Sequence, residues 1–261
     1  MSGARRALAA AVLVAAALAG CSSPQPATRS AEPAPSSATG TKLTATGPRL
    51  TATLTSPVDI TLRWTGTEPG AAGRIVEFAT EPEGPYTILE YVPLGQTSYR
   101  HPDLMPQTPF YYRVRPYYGP ASRPVEVRLP KGDFTAKEQK SDHEWAPPRT
   151  LRQTAVHTGS VKDAATARAA APTGLKATVM HANGIRFTWT DHASDEQGYL
   201  LEDRPQGGDR FRPVAVLDRN INSFGLITLP NEKRAAYRVR AFTYGKGSNV
   251  VHLKTGSAPE R

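Results

Sequence analysis

The chain has 261 residues, a formal net charge of +9 and a single cysteine. One cysteine excludes an intramolecular disulfide, so the fold is held without covalent crosslinks. The basic excess favours anionic surroundings, which include nucleic acid, phospholipid headgroups and acidic wall polymers.

The first 20 residues have the pattern of an export signal. Arg5 and Arg6 precede an apolar run, 7–19, that is too short to remain as a membrane-spanning helix. Leu18-Ala19-Gly20-Cys21 resembles the lipobox of bacterial lipoproteins. This resemblance implies cleavage before Cys21, a diacylglyceryl group on its thiol, and attachment to the extracellular or periplasmic face of the cell membrane. The alternative is an ordinary secretory signal with an incidental cysteine.

Residues 21–44 are dominated by Ser, Pro, Ala, Thr and Gly and are predicted to be disordered, because they have too few large apolar side chains to offset the entropy of ordering. As a flexible chain, this segment would span roughly 25 to 30 Å.

Removal of the signal leaves a net charge of about +7 by subtraction of Arg5 and Arg6. Export argues against nucleic acid as a partner.

The segments 45–130 and 171–255 repeat one pattern. Trp64 and Trp189 are 125 residues apart, as are Tyr112 and Tyr237, and both copies contain Tyr-Arg-Val-Arg. Most coinciding positions are apolar, so the repeat preserves a hydrophobic core rather than a catalytic site. The repeat predicts two domains.

Alternating apolar and polar residues predict short, half-buried strands throughout both copies. In the first copy these strands fall at 50–54, 60–64, 75–78, 86–89, 98–99, 110–114 and 125–127. Some seven short strands without a helical period predict an all-β fold of two tandem antiparallel sandwiches.

At these positions the chain resembles the fibronectin type III family. Both copies have tryptophan on the second strand, the Tyr-Arg-Val strand, and then glycine and serine (Gly119 and Ser122; Gly245 and Ser248). The resemblance covers about 45–130 and 171–255 and implies immunoglobulin-like sandwiches. Members usually carry a tyrosine at the corner before the sixth strand, where this chain departs from the pattern with Phe110 and Ala235.

The segment 131–170 is too short and too polar for a third domain. We interpret it as a semi-ordered linker that leaves the two domains free to reorient. Within it, 145–148 is expected to be extended, and Ser160 is expected to cap a short helix that ends before Pro172. Residues 256–261 are interpreted as a loose tail.

No motif in the sequence predicts catalysis. The histidines at 101, 143, 157, 181, 192 and 252 do not have metal-ligand spacing, so neither a metal nor a cofactor is expected. Asp191, Asp195 and Glu196 surround His192 and could indicate a divalent ion or acid–base work. The stronger interpretation is that they close a turn by bonding backbone amides.

The repeated acidic residues Glu77 and Glu202 are predicted to lie on exposed strand faces. There they would form cross-strand pairs with Arg113 and Arg238.

The candidate binding residues are aromatic side chains next to arginines, a combination that suits sugar rings or an acidic partner. Tyr117 and Tyr118 are predicted to enter the loop between the last two strands, at an end of the sandwich where members of this architecture present ligand-binding loops. The full candidate set is Tyr111, Arg113, Arg115, Tyr117 and Tyr118.

Together these features predict a lipid-anchored, surface-exposed, non-catalytic protein that binds or spaces cell-wall glycan or envelope protein. The chain is expected to be a monomer. An alternative is an accessory role in extracellular polysaccharide degradation, since bacterial domains of this kind are often attached to glycosidases.

Overall fold

The structure, a computed structural model, describes residues 47–140, 143–163 and 165–257. The predicted signal, Cys21 and the segment that is predicted to be disordered lie outside the described residues. The described residues belong to one compact unit, 44–261. Within them, no helix has the length and apolar character required to cross a membrane.

All seven strands predicted in the first copy are present. They are β1 (Arg49–Ser56), β2 (Asp59–Thr65), β3 (Gly73–Ala79), β4 (Thr87–Val92), β5 (Ser98–His101), β6 (Pro109–Tyr118) and β7 (Val125–Arg128). The alternation of the sequence is visible in β2, where Ile60, Leu62 and Trp64 are buried and Arg63 is exposed. Period-two patterning therefore predicted these elements correctly.

The segment between the copies contains short elements. They are α1 (Ala136–Gln139), a 3₁₀ turn (Arg152–Thr154), β8 (Ala155–Gly159) and a second 3₁₀ turn (Ala167–Ala170). The helix predicted after Ser160 is wrong. Val161 and Ala170 are both buried in the core of the second copy, and this tertiary packing prevails over the weak helical preference of a ten-residue segment.

The second copy repeats the strand order of the first. Its strands are β9 (Thr173–His181), β10 (Gly184–Ala193), β11 (Gly198–Pro205), β12 (Arg212–Asp218), β13 (Ser223–Ile227), β14 (Arg234–Tyr244) and β15 (Val251–Lys254). Two small sheets, β1-β2-β5 and β9-β10-β13 with β8, each cover one half of a long eight-stranded sheet. The pairs are antiparallel except for β8, which runs parallel to β10. The all-β fold of two antiparallel sandwiches is confirmed.

The last strand of each copy lies in the other sandwich. β7 pairs with β14, with Val127 opposite Ala235, and β15 pairs with β6, with Leu253 opposite Phe110. We call β7 and β15 the exchanged strands. Each copy thus completes the sheet of its neighbour, and the sandwiches are joined by two reciprocal crossings.

Both crossings use the same pair of hydrogen bonds. Ser122 donates its amide to the Val239 carbonyl at 2.8 Å and accepts the Val239 amide on its hydroxyl at 3.1 Å. Ser248 forms the matching pair of bonds with Val114, at 2.9 and 3.0 Å. At the first crossing Gly119 has φ +132, and a Cβ there would lie 2.0 Å from the Ala241 carbonyl oxygen, so only glycine fits.

Each hydrophobic core contains side chains from the exchanged strand. Val251 and Leu253 pack against the core of the first sandwich, which includes Trp64 and Tyr112. Val127 belongs to the core of the second sandwich. Because apolar burial drives folding, each core depends on residues from both copies.

A third cluster joins the two sandwiches. Its buried members are Ile75 and Tyr117 from the first copy and Leu200 and Phe242 from the second. The pairs Ile75/Leu200 and Tyr117/Phe242 are equivalent positions of the repeat. Next to them, β6 and β14 pair directly, with Tyr118 opposite Thr243. The junction therefore has approximate two-fold symmetry.

The described parts of the segment 131–170 are bonded to the second sandwich. Asp195 accepts bonds from the Ser160 hydroxyl and the Val161 amide, both at 2.6 Å, and Asn222 accepts the Leu151 amide at 2.6 Å. These contacts and the exchanged strands make the expectation of freely reorienting domains wrong, because reorientation would require breaking two strand pairings.

Candidate binding surface

The predicted binding residues lie on β6. Tyr111, Arg113, Arg115 and Tyr117 alternate with the core residues of this strand and therefore share its outer face. Tyr117 and Tyr118 were expected to enter a loop, but both are within the strand. β6 is long because its final residues pair with β14.

The two arginines are held by one buried carboxylate. Arg113 Nε lies 2.7 Å from Glu77 Oε2, and Arg115 Nη2 lies 2.6 Å from Glu77 Oε1. The Arg113 guanidinium also lies 3.8 Å from the Tyr86 ring centroid, and that of Arg115 lies 4.0 Å from the Tyr244 ring centroid. Arginine favours such sites because it can bond a carboxylate and stack on a ring simultaneously.

The same arrangement occurs in the second copy. Glu202 Oε2 lies 2.5 Å from Arg238 Nε, and its Oε1 lies 2.9 Å from Arg240 Nε. Phe211 lies below Arg238, with 4.2 Å between the guanidinium and the ring centroid. Both predicted pairs are therefore present, each with a second arginine.

The predicted exposure of the two glutamates is wrong. Glu77 is 2% exposed and Glu202 is 1% exposed, because arginine stems and aromatic rings cover the strand face. A carboxylate buried in this way requires its charged partners. The arrangement is thus structural, and Arg113 and Arg115 have their charges largely satisfied within the protein.

The three candidate tyrosines have different environments. Tyr117 is 4% exposed and contacts Tyr91 edge-on at 5.8 Å between ring centroids; burial raises the pKa of its hydroxyl to about 12. Tyr111 stacks on His252 of the exchanged strand at 4.5 Å, and Tyr118 lies beside the junction. Tyr117 is thus enclosed, whereas Tyr111 and Tyr118 are partly exposed and their binding role stays a prediction.

The acidic side chains around His192 bond other parts of the fold, although Asp191 Oδ2 is buried without a hydrogen-bond partner among the described residues. Asp191 accepts bonds from the Tyr199 hydroxyl and, at 2.9 Å, from the Ala193 amide. Glu196 accepts the Asn220 amide at 3.0 Å, and His192 Nε2 lies 2.7 Å from the Thr173 hydroxyl. Only the bond between Asp191 and Ala193 is local; Asp195 and Glu196 bond backbone amides as expected, but those amides lie in segments distant in the sequence rather than in the same turn. In the part of the chain that the structure describes, no three His, Cys, Asp or Glu side chains converge as metal ligands would.

The structure contains a basic groove that the sequence did not predict. It lies beside the exchanged strand β7 in the second sandwich and has a volume of about 420 Å³, with Arg128, Arg204 and Arg234 in its lining and Ala236 and Gly207 among the small residues. Arg128 and Arg234 belong to strands that are distant in the sequence. Only the strand exchange brings them together, so no local pattern could have revealed the groove.

Comparisons with known proteins give structural likeness only. Neither a family model nor a curated protein matches the sequence. Among solved structures, the chain is similar to a two-domain fibronectin type III segment from chicken tenascin, at 15% identity and a TM-score of 0.25 over 80% of this chain and 99% of that one.

Two further structures are similar at comparable levels. The chicken CNTN1 FN1–FN3 domains match at 11% identity and a TM-score of 0.26, over 82% of this chain and 99% of that one. The central fibronectin-III array of RIM-binding protein matches at 14% identity and a TM-score of 0.23, over 77% of this chain and 61% of that one.

Proposed function

We propose that the chain is a lipid-anchored, surface-exposed, non-catalytic protein that presents its two sandwiches to a glycan or protein of the cell envelope. The observation that carries this proposal is the reciprocal exchange of β7 and β15, in which β15 pairs with β6 and β7 pairs with β14. A pair of sandwiches joined twice keeps its surfaces at a fixed spacing, which suits a module that binds or spaces.

The contacts of the acidic residues also support a non-catalytic role. Glycoside hydrolysis needs two carboxylates that converge on a substrate pocket. Glu77 and Glu202 are instead each enclosed by two arginines, and Asp195 holds the segment after Ser160. These carboxylates are engaged with partners in the fold and do not form a converging pair.

The partner can be captured by crosslinking on intact cells, followed by identification of the attached molecule and by pull-downs with envelope glycans and proteins. We expect a saturable envelope partner and no turnover. Hydrolysis of a polysaccharide by residues 44–261 would contradict the proposal.

The lipid anchor is supported by the lipobox-like sequence that ends at Cys21. Replacing Cys21 with Ala removes the thiol that would receive the lipid. We expect the protein to leave the membrane fraction or to remain unprocessed, as measured by fractionation and mass spectrometry of the amino terminus. Unchanged membrane retention of a normally processed protein would refute the anchor.

A further inference from the structure

The basic groove contains two like charges placed directly opposite each other. Arg128 of β7 and Arg234 of β14 are cross-strand partners, so their side chains project from the same face. Like charges in this position are unfavourable. Both side chains are exposed, and among the described residues neither has an ion pair.

The remaining charges leave the groove basic. Arg204 lies across from β7, and its Nη2 is 3.9 Å from Glu126 Oε1, a loose contact with an acid whose side chain is 78% exposed. Arg204 also lies over the Phe211 ring, with 5.0 Å to its centroid. Three arginines thus face one acid, and small residues, Ala236 and Gly207, leave space between them.

The first sandwich provides an internal comparison. At the equivalent location Lys254 is opposite Pro109, so the opposed arginines are absent. Where the second copy has Ala236, the first has Tyr111, whose ring stacks on His252 and occupies the space. The same framework is therefore closed in one copy and open and basic in the other.

We propose that this groove binds the phosphate or carboxylate groups of an acidic polymer. Arginine forms paired hydrogen bonds with either group, and two opposed arginines can bind one anion from both sides. A polymer is favoured over a lipid headgroup because the groove is in the second sandwich, whereas the amino-terminal segment joins the first at β1. This inference rests on the proposed binding function and specifies its ligand class.

The test measures binding of the purified full chain to poly(glycerol phosphate), polygalacturonate and uncharged dextran by calorimetry. Inorganic phosphate and vesicles of phosphatidylglycerol and phosphatidylcholine are measured in parallel. The variant is Arg128→Gln with Arg234→Gln; the matched control, Arg63→Gln with Arg49→Gln, removes two charges from exposed positions in the first sandwich.

We expect an acidic polymer to bind, dextran not to bind, and the double variant to weaken polymer binding by about tenfold or more through lost charge-assisted bonds. The control variant should bind the polymer within about twofold of the unaltered protein. Added salt should weaken polymer binding by the unaltered protein. Equal losses in both variants would overturn the site. Binding only to vesicles or only to inorganic phosphate would overturn the polymer assignment. If neither acidic polymer binds but crosslinking captures an envelope protein, the inference fails while the proposed function stands.

Discussion

Replacing Leu253 with Ala is predicted to destabilise the first sandwich, although Leu253 belongs to the second copy of the repeat. The side chain is partly buried and packs against the core that contains Trp64. Replacing a fully buried leucine with alanine lowers the free energy of unfolding by about 2 to 5 kcal/mol. The same change at the partly buried Leu253 should lower it by about 1 to 2 kcal/mol. That loss corresponds to roughly a 5- to 30-fold increase in the population of opened molecules.

Hydrogen exchange followed by mass spectrometry locates the effect, since amide protection reports local stability. Peptides from β2 and β6 should exchange faster, and peptides from β10 and β11 should change little. Val127→Ala is the matched control, because Val127 occupies the equivalent position and packs in the second core. It should affect β10 and β14 instead. If Leu253→Ala weakened protection mainly in the second sandwich, the reasoning from strand exchange would be refuted.

Three further predictions concern the carboxylates and the junction. Glu77→Gln should destabilise the unit by about 3 kcal/mol or more in urea denaturation, because it leaves Arg113 and Arg115 without their buried partner; an unchanged midpoint would contradict a structural role. Burial raises the pKa of Asp195, but bonds from Ser160 and from the Val161 and Lys162 amides outweigh it and hold this pKa below 3.8. The stabilisation is therefore present above pH 3.8 and is lost as the pH falls through the pKa of Asp195 in the folded protein. Thermal melts should show a smaller loss of stability at acid pH in Asp195→Asn. Gly73→Ala should lower the melting temperature, because the new Cβ would lie 2.6 Å from the Tyr117 hydroxyl; an unaltered melt would mean that the junction is loosely packed.

The individual strands could be predicted from the sequence because their pattern is local. In β2 the alternation around Ile60, Leu62 and Trp64 determines which side faces the core, whatever the partner strand. The sequence does not determine which sandwich each last strand joins. Val125 and Val127 have the same alternation as Val251 and Leu253, so either strand fits either core, and the sequence pattern does not distinguish exchanged from unexchanged pairing.

The environments of the charged residues were also beyond a local pattern. Alternation correctly placed Glu77 and Glu202 on the face away from the core, but burial of that face depends on arginines and aromatic rings from neighbouring strands. Tyr244, which covers Arg115, comes from the other copy. The basic groove has the same origin, since Arg128 meets Arg234 only after the exchange.

Crosslinking between engineered cysteines tests the strand exchange most directly. His252 is opposite Tyr111 in the structure, whereas in an unexchanged sandwich it would be opposite Ala236, the equivalent of Tyr111. Opposed residues in an antiparallel pair lie within disulfide range, and residues 44–261 contain no other cysteine. We predict rapid disulfide formation in Tyr111→Cys with His252→Cys and little in Ala236→Cys with His252→Cys. The opposite outcome would contradict the reciprocal exchange of the two strands.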